Sequence, residues 1–380
     1  MATLLSPRLE TGLVLRCGNP YRRMVGVGGV GTGTFFLLEG NRALTRGESR
    51  PAALLDARDY CKLHVMSHYV SVLTGGKTCG FHVLPIAHVG DDEAGRRLRQ
   101  EILNAGMDAS AVKTIEGRPT LFSVCFLYED GSGGNITSNN SAAAAMAAHD
   151  LDAYEPMLAP HTIAAAMPEA PLAVRDDLLQ RATRHGAFRV ASFTSAEVSQ
   201  AREMEMFSRI DLLALNDEEA SELAGIPFDV GKPHAALDRC AQFLCSRQPA
   251  IRIVVSAGQR GAFAFSGERW HYHPAPAVRA VSTAGAGDAL LAGIVSALAA
   301  GIPFHCDSAR GAVDFGVLLA AFSVTSPHTI HPEANLASLL AFAQSLNIDC
   351  SALAPYVASP ACATPAARIE QKLHEANRRS

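Results

Sequence analysis

The chain has 380 residues, a hydrophobic content of 48% and a formal net charge of −4. This length allows one large domain or two smaller ones, and the mildly acidic balance argues against nonspecific nucleic-acid binding, which needs a basic face. Because no 18-residue apolar run exists and Glu10 interrupts the first segment, neither a membrane span nor a signal peptide is expected. The nine cysteines include no C-x-x-C pair, so we expect reduced thiols in a cytoplasm, without a zinc site or a disulfide framework.

The first predicted elements follow no regular rhythm. A poorly patterned leader over residues 1–23 precedes a β-rich stretch, "MVGVGGVGTGTFFLLEG", and an extra loop around 40–58. A helix candidate ("YCKLHVMSHYVSVL"), an apolar strand ("FHVLPIAHV") and a charged helix ("DEAGRRLRQEILNAG") come next. Hairpin-like strands within about 33–46 and 110–138 predict a small appended sheet.

From residue 160 onward, apolar strands such as "HTIAAAM", "FRVAS", "IDLLAL" and "IRIVVSAG" alternate with helices. This alternation predicts an α/β fold with a mostly parallel sheet between layers of helices. The last part, 346–380, reads as a linker rich in Ala, Pro and Ser that leads to a short charged helix. We therefore expect a leader over 1–23, one domain over 24–345 and a tail over 346–380.

The stretch "VGVGGVGTG" contains Gly26, Gly28 and Gly31 at the G-x-G-x-x-G spacing of dinucleotide-binding sites. The next residues, "TGTFFLLEG", are strand and turn formers and do not form the helix that a pyrophosphate site needs. We therefore expect these glycines to let backbone and ligand approach each other at a strand end, without a nicotinamide cofactor.

The strongest chemical signal is "VSTAGAGDALLAGIVSALAAG", residues 281–301. Its second half has helical periodicity, so the cluster Gly285, Ala286 and Gly287 falls at a helix N-terminus, where unpaired N–H groups favour an anion. Asp288 follows in the first turn. Spacing alone leaves two interpretations of Asp288 open: a carboxylate that complements the helix dipole, or a general base beside an anion hole.

"STAGAGDALLAG" resembles the D-T-x-G-A-G-D signature of the ribokinase/adenosine kinase family, the carbohydrate kinases of the phosphofructokinase-B type. Four further segments resemble that family in its own order: "VGDDEAGRRLRQEILNAGMDASAV", "LLALNDEEASELAG", "RIVVSAGQRGAFAF" and "AAFSVTS". The resemblance covers residues from about 24 to 345. It implies a ribokinase-like three-layer sandwich around a mostly parallel sheet, with a small β-sheet lid.

The resemblance also implies roles for individual residues. Asp288 would be the base that activates the acceptor hydroxyl, and Gly285, Ala286 and Gly287 would form the anion hole. Glu219 would hold Mg²⁺ through water. The residues assigned to ATP binding are Asn216, Glu219, Ser256, Gly258, Gly261 and Thr283. From the residues alone, a helix cap at Asn216 and Glu219 and an ordinary hairpin turn at Gly258 and Gly261 remain open alternatives.

The chain departs from the family at the acceptor side. Gly33 stands where the family usually has a substrate-binding Asp, and the G-G-x-x-x-N loop is replaced by "ARDYCKLHVMSHY", which carries Arg58, Lys62, His64 and His68. This segment is either a solvated helix face with a satisfied histidine or a remodelled pocket for an anionic acceptor. The candidate acceptor-binding residues are Gly33, Arg58, Lys62 and Arg118.

A second departure concerns a monovalent cation. Ser282 replaces an Asp that helps to form a monovalent-cation site in some members of the family, so we expect rates that are insensitive to K⁺.

The expected function is ATP-dependent phosphorylation of a hydroxyl on a small polyol, a sugar or sugar derivative, with Mg²⁺ as cofactor. A nucleoside or hydroxymethyl-pyrimidine kinase and a non-catalytic nucleotide-binding relative are the alternatives. The expected partner is a small-molecule acceptor, with no nucleic acid and no membrane. Lid strands often pair across a dimer in relatives, which leaves a homodimer open.

Overall fold

The computed structural model describes residues 12–13, 19–76, 80–129, 133–229, 231–267, 269–305 and 311–357. A nine-stranded sheet forms its centre, in the order β13-β12-β11-β10-β9-β8-β1-β4-β5. These strands are β1 (Arg23–Val27), β4 (His82–Gly90), β5 (Val112–Ile115), β8 (Thr162–Ala166), β9 (Phe188–Ser192), β10 (Leu212–Leu215), β11 (Arg252–Ser256), β12 (Gly261–Ser266) and β13 (Arg269–Pro274). Of these nine strands, β12 and β13 alone add to the sheet by antiparallel pairing.

Two layers of helices cover this sheet. The helices are α1 (Lys62–Thr74), α2 (Glu93–Asn104), α3 (Leu172–Arg184), α4 (Ser195–Glu203), α5 (Asp217–Ala224), α6 (His234–Cys245), α7 (Ala286–Ala299), α8 (Ala312–Ser323) and α9 (Leu336–Ser345). Met24 of β1 packs in a core with α1, α2, α7, α8 and α9, whereas Val25 and Val27 pack in a second core with α3 to α6. Strand side chains alternate between faces, so the apolar run of β1 feeds both cores. The predicted three-layer α/β sandwich is confirmed.

Helices α7 and α8 pack with their backbones almost in contact. A Cβ placed on Gly316 of α8 would lie 2.5 Å from the carbonyl oxygen of Leu290 in α7, and one on Gly293 would lie 2.7 Å from the Cα of Gly316. Glycine inside a helix costs about 1 kcal/mol relative to alanine. Here it allows α7, whose first turn carries the G-A-G segment, to lie close against α8.

A second, four-stranded sheet has the order β3-β2-β6-β7. Its strands are β2 (Gly31–Leu38), β3 (Ala52–Tyr60), β6 (Leu121–Leu127) and β7 (Gly133–Thr137). Strands β2 and β6 pair in parallel, and the outer two strands pair antiparallel to them. We call it the small sheet. The predicted additional sheet is confirmed, although not all of its predicted strands belong to it.

Two local predictions differ from the structure. The last part of the loop expected around 40–58 is strand β3, because pairing with β2 along one edge overrides the weak strand propensity of "AALLDARDY". Strand β5, inside the range 110–138, pairs in parallel with β4 and so belongs to the main sheet.

The ends of the chain are described only in part. Most of the leader and the predicted C-terminal helix lie outside the described residues, and Leu13 forms an isolated bridge with Val357. The division into leader, domain and tail therefore stays a prediction. Within the described ranges, every helix is too short or too polar to cross a membrane.

Candidate active site

The N-terminus of α7 forms a cradle of open backbone N–H groups. Gly285 is the N-cap and adopts a left-handed conformation with φ of 77°, which favours glycine. The N–H of Ala286 donates to the carbonyl oxygen of Thr283 at 3.2 Å. The N–H groups of Gly285, Gly287 and Asp288 donate to no group in the described part of the chain. This arrangement, at the positive end of the helix dipole, suits an anion.

The carboxylate of Asp288 lies beside this cradle. Burial raises the pKa of Asp288, the Lys62 ammonium opposes the rise, and the negative charge of Asp59 adds to it. Lys62 is the first residue of α1. Burial lowers the pKa of Lys62, but the surrounding carboxylates, chiefly Asp288, Glu219 and Glu169, outweigh this effect, so the pKa is raised overall. Lys62 and Asp288 therefore each favour the charged form of the other.

Glu169 follows strand β8 at the carboxyl edge of the main sheet. Its φ of 71° is unusual for a residue with a side chain, and such strain concentrates at functional sites. The Oε2 atom accepts a hydrogen bond from the backbone N–H of Lys62 at 3.0 Å. Burial raises the pKa of Glu169 to about 7, against the opposing charge and N–H of Lys62. The strained backbone thus holds a carboxylate next to the Lys62 backbone.

Glu219 is buried in the first turn of α5. Asn216 Oδ1 accepts from the N–H of Glu219 at 2.7 Å, and Glu219 Oε2 accepts from the N–H of Asn216 at 2.8 Å, which together form a capping box. The structure confirms the helix-cap interpretation. Glu219 Oε1 accepts no hydrogen bond within the described ranges, so one oxygen is left for a ligand. Burial raises the pKa of Glu219 to about 7, and the Lys62 charge opposes the rise.

A buried arginine stands behind these groups. Arg175 is fully buried, its Nη1 lies 2.8 Å from Glu197 Oε1, and its Nη2 donates to the carbonyl oxygen of Ser192 at 2.5 Å. Its guanidinium also lies over the ring of Phe193. The carboxylates that interact with Lys62 or Asp288 are Asp59, Glu169, Glu197 and Glu219. Among the described residues, Arg175 is paired with Glu197, whereas Lys62 interacts with Asp288, Glu219, Glu169 and Glu197.

This donor set fits Mg²⁺. Within the described residues, no group of three His, Cys, Asp or Glu side chains could hold a metal by itself. Magnesium is normally held by one or two carboxylates together with water and phosphate oxygens. The unpartnered Oε1 of Glu219 matches that requirement.

The predicted nucleotide turn is a β-hairpin. Ser256 ends β11, a single turn of 3₁₀ helix covers Gly258–Arg260, and Gly261 begins β12. The hairpin interpretation is correct, and a role of Ser256, Gly258 and Gly261 in ATP binding stays a prediction. Nearby, the N–H groups of Val281 and Ser282 donate to the carbonyl oxygen of Val324 at the end of α8. This contact ties the irregular segment that leads to the cradle to the end of α8.

An apolar cavity of about 220 Å³ lies between the end of β13, α8 and the segment after α9. Pro274 and Pro276 form one wall, Phe315 and Leu318 a second, and Leu353 contributes from the C-terminal side. The cavity was not foreseen, because its walls come from three distant parts of the sequence.

The candidate acceptor-binding residues lie in different parts of the small sheet and its surroundings. Gly33, Asp59 and Ser123 form one row across the small sheet, whereas Arg58 lies on the opposite face and pairs with Glu101 at 3.2 Å. Arg118 is exposed in the turn before β6. Lys62 is therefore the candidate cation near Asp288. A pocket that meets an anionic acceptor with Arg58 or Lys62 stays a prediction.

The histidines of α1 also differ from expectation. His64 is 1% exposed and both of its ring nitrogens lack a hydrogen-bond partner, so the interpretation as a solvated face with a satisfied histidine is wrong. Burial, with a smaller effect of His68, lowers the pKa of His64 to about 3, and His64 is therefore neutral. The physical reason is that α1 is enclosed between the main sheet, α7 and α9.

Sequence reasoning missed Asp59, Glu169, Glu197 and Arg175. Glu169 has a local signal, because it is the first charged residue after the buried strand "TIAAA", at the edge where parallel α/β sheets bind ligands. Asp59 has none, since its position depends on the pairing of β3 with β2. Arg175 and Glu197 are helix residues whose ionic contact spans 22 positions.

Comparisons with known proteins agree with this architecture. The ATP-dependent ribose-1-phosphate kinase of Halopiger xanaduensis is 24% identical over 212 residues, which cover 56% of this chain and 65% of that kinase. The ribokinase of Arabidopsis thaliana, complexed with ribose and ATP, has a TM-score of 0.65 at 17% identity, over 87% of this chain and 100% of that chain. The nucleoside kinase of Burkholderia thailandensis, in complex with inosine, has a TM-score of 0.64 at 14% identity, over 86% of this chain and 98% of that chain.

At these identities the solved structures show the shared fold, and the family is shown separately. Residues 71–335, well over half of the chain, match the model of the pfkB family carbohydrate kinases. The protein therefore belongs to the pfkB family of carbohydrate kinases.

Proposed function

We propose that this protein transfers the γ-phosphoryl group of ATP to a hydroxyl of a small neutral polyol, a sugar or the sugar of a nucleoside. The observation that carries the proposal is the Asp288 carboxylate beside the open N–H groups at the start of α7. A base next to an anion cradle is the pairing that phosphoryl transfer to an alcohol requires.

The acceptor oxygen forms a bond to the γ-phosphorus while the bond from that phosphorus to the bridging oxygen breaks, and ADP leaves. The proton of the acceptor hydroxyl passes to the carboxylate of Asp288. Burial raises the pKa of Asp288, which makes its carboxylate a stronger base, and the Lys62 ammonium favours the ionised form. The N–H groups of Gly285 and Gly287 stabilise the negative charge on the transferred group.

The other site residues hold the nucleotide and its metal. Asn216 and Glu219 would hold Mg²⁺ largely through water, and when bound it neutralises charge on the ATP phosphates. The apolar cavity beside α8 would take the base of ATP, since its wall residue Pro274 pairs with Gly261 of the hairpin. Thr283, Ser256 and Gly258 are proposed to contribute to ATP binding as well. Closure of the small sheet over the acceptor would exclude water.

The acceptor is proposed to be neutral. Asp59 and Glu169 can accept hydrogen bonds from hydroxyl groups, and the negative charge of Asp59 opposes an anionic ligand. The ribokinase and the nucleoside kinase named above are complexed with ribose and inosine, which both present ribose hydroxyls. These observations favour a ribose-like acceptor over a hydroxymethyl-pyrimidine.

The test is an ATP-consumption assay with Mg²⁺ and a panel of sugars, sugar acids, ribose 1-phosphate, nucleosides and pyrimidine alcohols. One acceptor should stimulate turnover by the wild type, and Asp288→Asn should lower its kcat by about 10²- to 10⁴-fold while ATP binding is unchanged. The matched control is Asp238→Asn, which neutralises an exposed carboxylate on α6.

Two results would contradict the proposal. ATP binding without stimulation by any acceptor would favour a non-catalytic relative. Loss of ATP binding in Asp288→Asn would assign Asp288 a structural role instead.

A further inference from the structure

The small sheet has no room for a side chain at Gly33. A Cβ placed there would lie 2.1 Å from Ser123 Oγ and 2.6 Å from the Ser123 carbonyl oxygen. The residue that the resemblance leads one to expect at this position, an acceptor-binding Asp, is therefore excluded by packing. In the sheet register Gly33 pairs with Asp59 on one side and with Ser123 on the other. The three residues share one row and one face.

That face is turned toward the α7 cradle. The neighbouring row, Phe35, Ala57 and Cys125, packs against Ala284, the residue before Gly285. The row on the other side of Gly33, Asp59 and Ser123 contains Cys61. Cys61 is the N-cap of α1 and lies next to Lys62 and Glu169. Asp59 lies between these two rows, so its carboxylate faces the space between the cradle and Glu169.

The contacts of Asp59 leave one of its oxygens available. Oδ2 accepts a short hydrogen bond from Ser123 Oγ and a longer one, 3.3 Å, from Cys125 Sγ. Oδ1 accepts no hydrogen bond from the residues that the structure describes. Asp59 is only partly buried. One oxygen is thus anchored by the sheet, and the other can accept a hydrogen bond from a ligand.

We propose that Asp59 binds a second hydroxyl of the acceptor through Oδ1, so that strand β3 provides the carboxylate that Gly33 cannot carry on β2. The inference rests on the proposed function. It narrows the acceptor to polyols that keep a free hydroxyl besides the one beside Asp288. The negative charge of Asp59 also raises the pKa of Asp288, which agrees with a position of Asp59 at the acceptor end of the site.

The test uses the acceptor found with the panel above, together with its monodeoxy analogues. For Asp59→Asn and Asp59→Ala, kcat/KM for the acceptor should fall about 10- to 100-fold, mainly through KM, because a hydrogen bond to a charged group is lost. The KM for ATP should change less than about twofold. The control is Asp56→Asn, which removes an exposed carboxylate from the same strand.

The monodeoxy analogues separate a binding role from a structural one. The wild type should discriminate about 10- to 100-fold against the analogue that lacks the hydroxyl bound by Asp59, and Asp59→Ala should lose this discrimination. If active Asp59 variants keep the acceptor KM and the discrimination of the wild type, the inference about Asp59 is overturned and the proposed function is not affected. If no acceptor stimulates the wild type, the proposed function fails and the inference fails with it.

A second variant covers the case in which the Asp59 variants do not fold. Ser123→Ala keeps the carboxylate but removes its anchor, and it should raise the acceptor KM about fivefold with the ATP KM unchanged. An acceptor KM equal to that of the wild type would overturn the inference.

Discussion

Replacing the buried carboxylate Glu219 by its amide is expected to stabilise the ligand-free protein while it weakens metal binding. Gln can form the same capping box with Asn216, so the start of α5 should be preserved. The substitution changes the charge. Glu219 is 5% exposed, and burial raises its pKa from 4.5 to about 7. Holding this group ionised in the folded protein therefore costs free energy.

The sign and size of the effect come from proton linkage. Because the folded pKa lies above the unfolded one, the native state binds more protons between pH 4.5 and 7, and the free energy of unfolding falls as pH rises through this range. Over the whole range the free energy of unfolding falls by about 3 kcal/mol, because each pKa unit between the folded and the unfolded state corresponds to about 1.4 kcal/mol. The side chain of Glu219→Gln does not ionise. The free energy of unfolding of this variant should therefore exceed that of the wild type by about 1 kcal/mol at pH 5 and by about 3 kcal/mol at pH 8.

The measurement is urea unfolding of both proteins at pH 5 and pH 8 without ligand, with Glu218→Gln, an exposed neighbour on α5, as control. Addition of Mg²⁺ with ADP should then stabilise the wild type more than Glu219→Gln. A stability difference that is the same at both pH values, or a less stable variant at pH 8, would refute the reasoning.

Two further predictions concern the frame around the site. Asp92 caps α2 and accepts hydrogen bonds from Gly95 N and from the backbone and hydroxyl of Thr120, which outweigh burial and lower its pKa. Asp92→Ala should lower the free energy of unfolding by about 1–2 kcal/mol at pH 7, as urea unfolding would show, and the loss should shrink as pH falls through the carboxyl range. An equal loss in Asp91→Ala, whose carboxylate is exposed, would contradict this explanation. Gly316→Ala should cost about 1–3 kcal/mol, because the added methyl group meets Leu290, and unchanged urea unfolding would refute the tight contact of α7 with α8.

The fold was predictable because its signals are local. The glycine cluster before an apolar helical run marks the start of α7, and the alternation of apolar strands with helices after residue 160 predicts the parallel sheet. Strand β3 was not predictable in this way. Its residues have weak strand propensity, and its pairing with β2 spans the "NRALTRGESR" segment, whose length gives no register.

The candidate site was predictable where one segment carries both the backbone and the side chain, as at Gly285 and Asp288 or at Asn216 and Glu219. It was not predictable where the side chain comes from a neighbouring strand. Gly33 reads as the loss of a carboxylate when β2 is considered alone. In the strand register Asp59 of β3 lies directly opposite Gly33. The close packing of Ser123 against Gly33 explains why β2 has no room for a carboxylate at this position. A residue that a motif lacks can therefore be replaced one strand away, so the absence of a motif residue does not by itself argue against the chemistry that the residue serves.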